Sequence, residues 1–215
     1  MDSSLTAFIG SDFQGECKGK GDNRVNLIQA SENGDLALVR TILATEVNID
    51  AVDDRGRTAV MAATHGNHSS VVQALIDAGA NIHIQDNMKD NPFLYAGAEG
   101  FLEILRLTIA AGADTMLVNR YGGSALIPAC HHGYPDCVLE LLTTTDVDID
   151  HANNLGWTAL IEAVILSDGG LIHQRIVQIL VDHGADLSIG DKEGVTAIDH
   201  ARSRAYNEMV RILSH

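Results

Sequence analysis

Apolar residues recur along this chain at helical spacing, in short bursts interrupted by polar turns. Val71, Val72, Leu75 and Ile76 form one burst, Ile104, Leu105, Thr108 and Ile109 a second, and Ile176, Val177, Leu180 and Val181 a third. Such spacing marks one face of an amphipathic helix. These three bursts close on Gly79-Ala80, Gly112-Ala113 and Gly184-Ala185, where glycine admits the left-handed backbone that ends a helix. An Ala-rich stretch precedes each, such as Ala59, Ala62 and Ala63, and these stretches stop at Asn67, Gly100 or Gly133. Helices this short are marginal alone, so each must bury its apolar face against a neighbour.

The turns between helix pairs repeat a phrase. Asp53-Asp54-Arg55-Gly56-Arg57-Thr58-Ala59 returns as Asn119-Arg120-Tyr121-Gly122-Gly123-Ser124-Ala125, as Asn153-Asn154-Leu155-Gly156-Trp157-Thr158-Ala159 and as Asp191-Lys192-Glu193-Gly194-Val195-Thr196-Ala197. Gly56 to Gly122 is 66 residues, twice 33, and a fixed period of that length signals stacked supersecondary units. The expected fold is an all-α repeat solenoid of helix–turn–helix units. Thr58, Ser124, Thr158 and Thr196 stand where helix N-caps belong. Residues 1–21 read as a flexible leader. Residues 22–215 divide into units of approximately 22–52, 53–85, 86–118, 119–152, 153–190 and 191–215. The fifth is stretched, with 26 residues from Thr158 to Gly184 against 21 from Thr58 to Gly79. The extra length falls within 167–174 and is expected in a loop on one face. The polar first and last units suit the end caps that an array needs.

Composition sharpens this picture. Hydrophobic residues make up 46% but aromatic residues only 4%, which suits thin layers of Ala, Leu, Ile and Val. The formal charge of −15 repels phosphate backbones, so nucleic acid is not an expected partner, although a local basic spot stays open. Three cysteines, Cys17, Cys130 and Cys137, make no disulfide framework and fit a reducing compartment. Residues 1–12 lack the pattern of a secretory signal. No apolar run reaches the roughly 18 residues of a membrane span. The expectation is a cytoplasmic monomer, or a periplasmic or other location if the chain is a trimmed mature form.

Chemistry is sparse. Gly169-Gly170 lacks the following Lys and Ser/Thr of a phosphate loop, and the repeat turn explains Gly122-Gly123-Ser124. Cys130-His131-His132 with Cys137 lacks the paired spacing of closed zinc sites. The carboxylates Asp50, Asp53, Asp54, Asp146, Asp148 and Asp150 lack EF-hand spacing. No catalytic constellation, cofactor or metal site is expected, and the chain reads as a non-enzyme.

The pattern resembles the ankyrin repeat family over about 190 of the 215 residues. Thr158-Ala159-Leu160-Ile161-Glu162-Ala163 stands where that family has Thr-Pro-Leu-His-x-Ala, and Leu180-Val181-Asp182-His183-Gly184-Ala185-Asp186 is similar to its closing phrase. The resemblance implies turns that project as β-hairpin fingers. It also reveals departures. The family's Pro is present only as Pro92, and its bridging His is replaced by Met61, Leu94, Ile127, Ile161 and Asp199. Apolar packing must then couple the units, and more weakly. Lys89 in place of the turn glycine implies an altered third finger.

The resemblance also implies a protein partner on a concave face made by finger tips and first helices. Carried over position by position, the candidates are Arg55, Arg57, Met88, Arg120, Tyr121, His131, His132, Leu155, Trp157 and Ile165. Tyr and Trp carry much interface energy, so Trp157 and Tyr121 are the expected hot spot. The three arginines are expected to meet acidic groups of the partner. Trp157 can equally lie back on its own finger or against Tyr121. Two other functions stay open: a small-molecule or enzymatic role at the fifth-unit insertion through Glu162, Asp168 and His173, and a purely structural spacer.

Overall fold

The protein is described here by a computed structural model covering residues 23–214; the leader read for 1–21 and Cys17 lie outside the described residues. The described chain forms helices in consecutive pairs. They are α1 (Asn23–Glu32) and α2 (Leu36–Leu43), α3 (Ala59–His65) and α4 (Ser69–Asp77), α5 (Pro92–Glu99) and α6 (Leu102–Ala110), α7 (Leu126–His132) and α8 (Pro135–Thr144), α9 (Ala159–Ile165) and α10 (Leu171–Asp182), and α11 (Ala197–Ser203) and α12 (Asn207–Ile212). Odd-numbered helices stack on one another in an inner row, and even-numbered helices form an outer row behind them. A single apolar layer runs between the rows, from Leu27 and Val39 to Met209 and Leu213. Its buried aromatic residue is Phe93, so small and aliphatic side chains set the close spacing of the rows.

Local chemistry explains the boundaries. Thr58 and Thr158 cap α3 and α9 by accepting from the N–H groups of Met61 and Ile161. Asn91 caps α5 through Leu94 N–H, with Pro92 in the first turn. The other two expected caps behave differently. Thr196 donates its hydroxyl to Asp199 instead of accepting from backbone. The Ser124 hydroxyl is buried without a partner, and α7 starts late, at Leu126. Pro128 is the cause. Ala62 and Glu162 donate their N–H to the carbonyls of Thr58 and Thr158, whereas a proline has no N–H to offer Ser124.

The turns are tight rather than stranded. Asp53 N–H donates to the Arg57 carbonyl and Gly56 N–H to the Asp53 carbonyl, and the same pattern recurs at Asn119 and Asn153. The arms are too short for strands; one isolated bridge, Gly190 to Thr196, is the extent of β-pairing among the described residues. The third turn is not altered as expected. Lys89 adopts φ +59° beside values of +76°, +74° and +81° at Gly56, Gly122 and Gly156. Its N–H donates to the Asp86 carbonyl as Gly56's does to Asp53. The hydrogen bonds of the turn outweigh the strain of a side chain at positive φ.

The fifth-unit insertion also departs from the expected loop. It lengthens α10 to 12 residues, against 9 in α4 and α6, so most of the extra chain is one more helical turn. Coupling between pairs is not left to apolar packing alone, as expected from the missing family histidine. Met61, Leu94, Ile127 and Ile161 are buried, but histidines elsewhere reach the preceding pair. His68 Nε2 hydrogen-bonds the Glu32 carbonyl at 3.0 Å, His151 Nε2 the Gly122 carbonyl at 2.6 Å and His173 Nε2 the His131 carbonyl at 2.9 Å. Tyr134 and Tyr206 lie over Gly100 and Gly169, where any Cβ would stand 2.6 Å from the ring.

Candidate functional site

The turn tips are tied together by side chains at one recurring slot. Asn87 donates its backbone N–H to the Arg55 carbonyl and its side-chain amide to the Asp54 carbonyl. Asn154 makes the same pair of bonds to Tyr121 and Arg120, and Lys192 Nζ donates to the Asn154 carbonyl. Arg120 holds this slot in the fourth turn and breaks the series. Its guanidinium stacks 4.5 Å from the centroid of its own neighbour Tyr121 and donates to the Tyr121 hydroxyl at 2.8 Å. Among the described residues, no backbone hydrogen bond joins the tips of the third and fourth turns.

A cleft of about 430 Å³ opens on this side of the inner row, between the third and fifth turns. Its lining includes Tyr95, Tyr121, Leu155, Trp157 and Leu166 with Ile127, His131 and Glu162. Tyr121 is 60% exposed and Leu155 55%. Exposed large apolar groups beside a concavity mark interaction sites.

The electrostatics of the cleft are acidic and unbalanced. Glu162 is only 8% exposed, yet it is the one charged residue of α9. Its Oε1 accepts from the Asn153 amide at 2.7 Å, while the nearest basic nitrogen to Oε2 is His131 Nδ1 at 4.0 Å. Burial pushes the Glu162 carboxyl up to about 7, against the pull of the Asn153 hydrogen bond. Burial, together with His132 and His173, holds His131 below its ordinary value. Asp90 on the same cleft is pushed up to about 6, by burial and then by Asp86.

The ten sequence candidates separate on this surface. Arg120, Tyr121, His131, His132, Leu155 and Trp157 line the cleft together. Arg55 and Met88 are exposed but lie outside it. Ile165 is half-buried and packs on the core, and its neighbour Leu166 faces the cleft instead. Arg57 is a correction: it is 7% exposed, its guanidinium held at 2.8 Å by both Asp53 and Glu32, so it cannot meet a partner's acid. Arg120 is likewise engaged by Tyr121. Trp157, for which an exposed and a packed position were both open, is half-buried against the core and also lines the cleft. His132 Nδ1 bonds the Ala98 carbonyl.

The residues of the insertion do not converge with Glu162. Asp168 accepts from Gly170 N–H and His173 holds the His131 carbonyl. Both line a separate shallow pocket with Leu166, Leu171 and Ile172. No group of three or more metal-ligating side chains occurs among the described residues, and no described helix is long and apolar enough to cross a membrane. Cys130 and Cys137 are buried free thiols, both pushed up by burial. Position-by-position transfer missed Glu162, Tyr95 and Ile127 as cleft residues. The first had a signal, a lone acid within Ala159-Leu160-Ile161-Glu162-Ala163-Val164-Ile165.

Comparison with known proteins agrees with this architecture. A family model described as ankyrin repeats (3 copies) matches residues 27–119 and 93–187. The putative ankyrin repeat protein YahD of Escherichia coli K12 is 42% identical over 184 residues, covering 86% of this chain and 92% of that protein. The crystal structure of an ankyrin repeat domain from Acinetobacter baumannii AYE is 46% identical with a TM-score of 0.85, covering 87% of this chain and 95% of that one. The ankyrin repeat protein EF0377 is 42% identical with a TM-score of 0.87, covering 89% and 98%.

Proposed function

The chain belongs to the ankyrin repeat family, whose domains generally mediate protein–protein interaction and are typically non-enzymatic, and we propose that it is a scaffold that binds a partner protein in the cleft between its third and fifth turns. The observation that carries this reading is the cleft itself, with Tyr121 and Leu155 exposed on its rim and Trp157 on its wall. Aromatic anchors around a concavity that excludes water are where interface energy concentrates. Elsewhere along the inner face, Asn87 ties one tip to the next and Arg57 is held by its own array.

Affinity capture from extract of the source cell tests it. The Tyr121→Ala, Leu155→Ala double variant removes two exposed side chains and leaves the Trp157 packing in place. It is expected to keep its helical circular dichroism and lose the protein that the parent retains. Undiminished capture by the folded variant would assign binding to another face.

A further inference from the structure

The chemistry of the cleft narrows what it accepts. Arg57 and Glu162 are the two charged residues that are buried as whole residues among the described residues. Arg57 has two carboxylates within 2.8 Å. Glu162 has one amide, and its second oxygen, Oε2, has no hydrogen-bond partner although the residue is more than nine-tenths buried and lines the cleft. That oxygen opens onto the cleft on a carboxyl otherwise surrounded by apolar neighbours, and a charged donor arriving from outside finds an unshared acceptor there. Asp90 and Glu99 line the same cleft, against one arginine, Arg120, that is already stacked and hydrogen-bonded to Tyr121. The aromatic faces of Tyr95, Tyr121 and Trp157 complete the lining.

A planar cation fits this combination. A guanidinium donates in a fixed fork to a carboxylate and stacks on aromatic rings, and cation–aromatic contacts strengthen when water is excluded. We propose that the cleft takes the guanidinium of an arginine on the partner protein, with Glu162 Oε2 as its acceptor and the rings of Tyr121 and Trp157 as its walls. This rests on the scaffold reading above and reverses the charge first expected of the partner at this surface. The interior volume exceeds one arginine side chain, so an apolar neighbour on the same segment has room beside Leu155 and Leu166. The raised proton affinity of Glu162 fits the same account, because an arriving cation ionises the carboxyl and releases its proton.

The test uses the full chain and Trp157, its single tryptophan, as the reporter. Fluorescence titrations compare two short leucine-flanked peptides that differ only at a central arginine or its neutral isostere citrulline. The arginine peptide is expected to perturb Trp157 emission with an affinity at least about tenfold higher than the citrulline peptide. Glu162→Gln, which keeps an oxygen for the Asn153 amide, is expected to erase that preference. Equal affinity for the two peptides, no response to either up to about 10 mM, or an arginine preference that survives in Glu162→Gln would each overturn the proposal. The peptide pair reads the charge without altering the protein, so a poorly folded variant does not blunt the test. Loss of natural capture in Tyr121→Ala, Leu155→Ala with no arginine preference would remove this inference and leave the scaffold reading standing. Capture indifferent to that pair would remove both.

Discussion

Arg57, at the root of the second turn, meets Glu32 and Asp53 at 2.8 Å each, whereas Glu162, in the inner helix of the fifth pair, keeps one amide at 2.7 Å and the His131 imidazole at 4.0 Å. Both are charged groups withdrawn from water in one repeating frame. The first is closed by its own array: Glu32 is held below its usual carboxyl value chiefly by the Arg57 hydrogen bond. At Asp53 burial pushes upward, and hydrogen bonds from the Arg57 backbone and side chain outweigh it. The second is left open to a cleft. Evenly spaced repeats supply equivalent slots, and what distinguishes structure from recognition is whether a slot's polar group is satisfied from within.

Breaking the closed site is expected to give the largest change. Arg57→Ala leaves two carboxylates without their cation and should cost about 2–3 kcal/mol at pH 7 in a denaturant titration. Both carboxyls are depressed in the folded state, so this contribution is present above the unfolded carboxyl values and is lost as pH falls through the folded ones. The variant and the parent should therefore converge as pH falls below the depressed folded values of Glu32 and Asp53. Partner capture should be retained. A loss of capture with stability intact would mean that Arg57 faces a partner after all.

The open site should respond with the opposite sign. Folded Glu162 titrates at about 7 against an ordinary 4.5, so the native state binds more protons between those values and stability falls as pH rises through that window. Above it the full cost of a buried carboxylate is present. Glu162→Gln removes the cost, and should raise stability by about 1–2 kcal/mol at pH 8 and by almost nothing at pH 4. Thermal denaturation at the two pH values measures it. A gain in stability coupled to loss of arginine recognition would be the trade expected of a group kept for binding. A variant that is equally destabilised at both pH values would show Glu162 to be a packing residue.

The sequence made the architecture legible because repetition supplies its own control. The Gly and Thr/Ser positions recur, and their backbone roles follow from turn and cap chemistry. The exceptions came from residues outside the phrase, as when Pro128 removed the N–H that Ser124's carbonyl would have accepted. The site was legible only in part. Tyr121, Leu155 and Trp157 stand at slots that face the cleft. Arg57 stands at the slot of Trp157 but is withdrawn by Glu32, 25 residues earlier, and no pattern within one unit discloses a partner in another. Glu162 was visible as a lone acid in an apolar helix, but its open oxygen depends on where His131 and Asn153 arrive.

The third turn, lying between the closed and the open site, gives the smallest predicted change and tests whether the turn backbone is common to both. Lys89 holds φ +59° where its counterparts are glycines, and a side chain there costs about 1–2 kcal/mol of left-handed strain. Lys89→Gly relieves it but frees the unfolded chain, which takes back part of the gain. The net expectation is a stabilisation of about 0.5–1 kcal/mol in a denaturant titration. The Lys89 backbone bonds are N–H to the Asp86 carbonyl and carbonyl to Gln85 Nε2, and neither needs the side chain. Arginine-peptide binding should not change, because Lys89 does not line the cleft. A destabilised Lys89→Gly would show that the lysine side chain supports the turn, and the equivalence of the slots would then fail at the tip nearest the open seam.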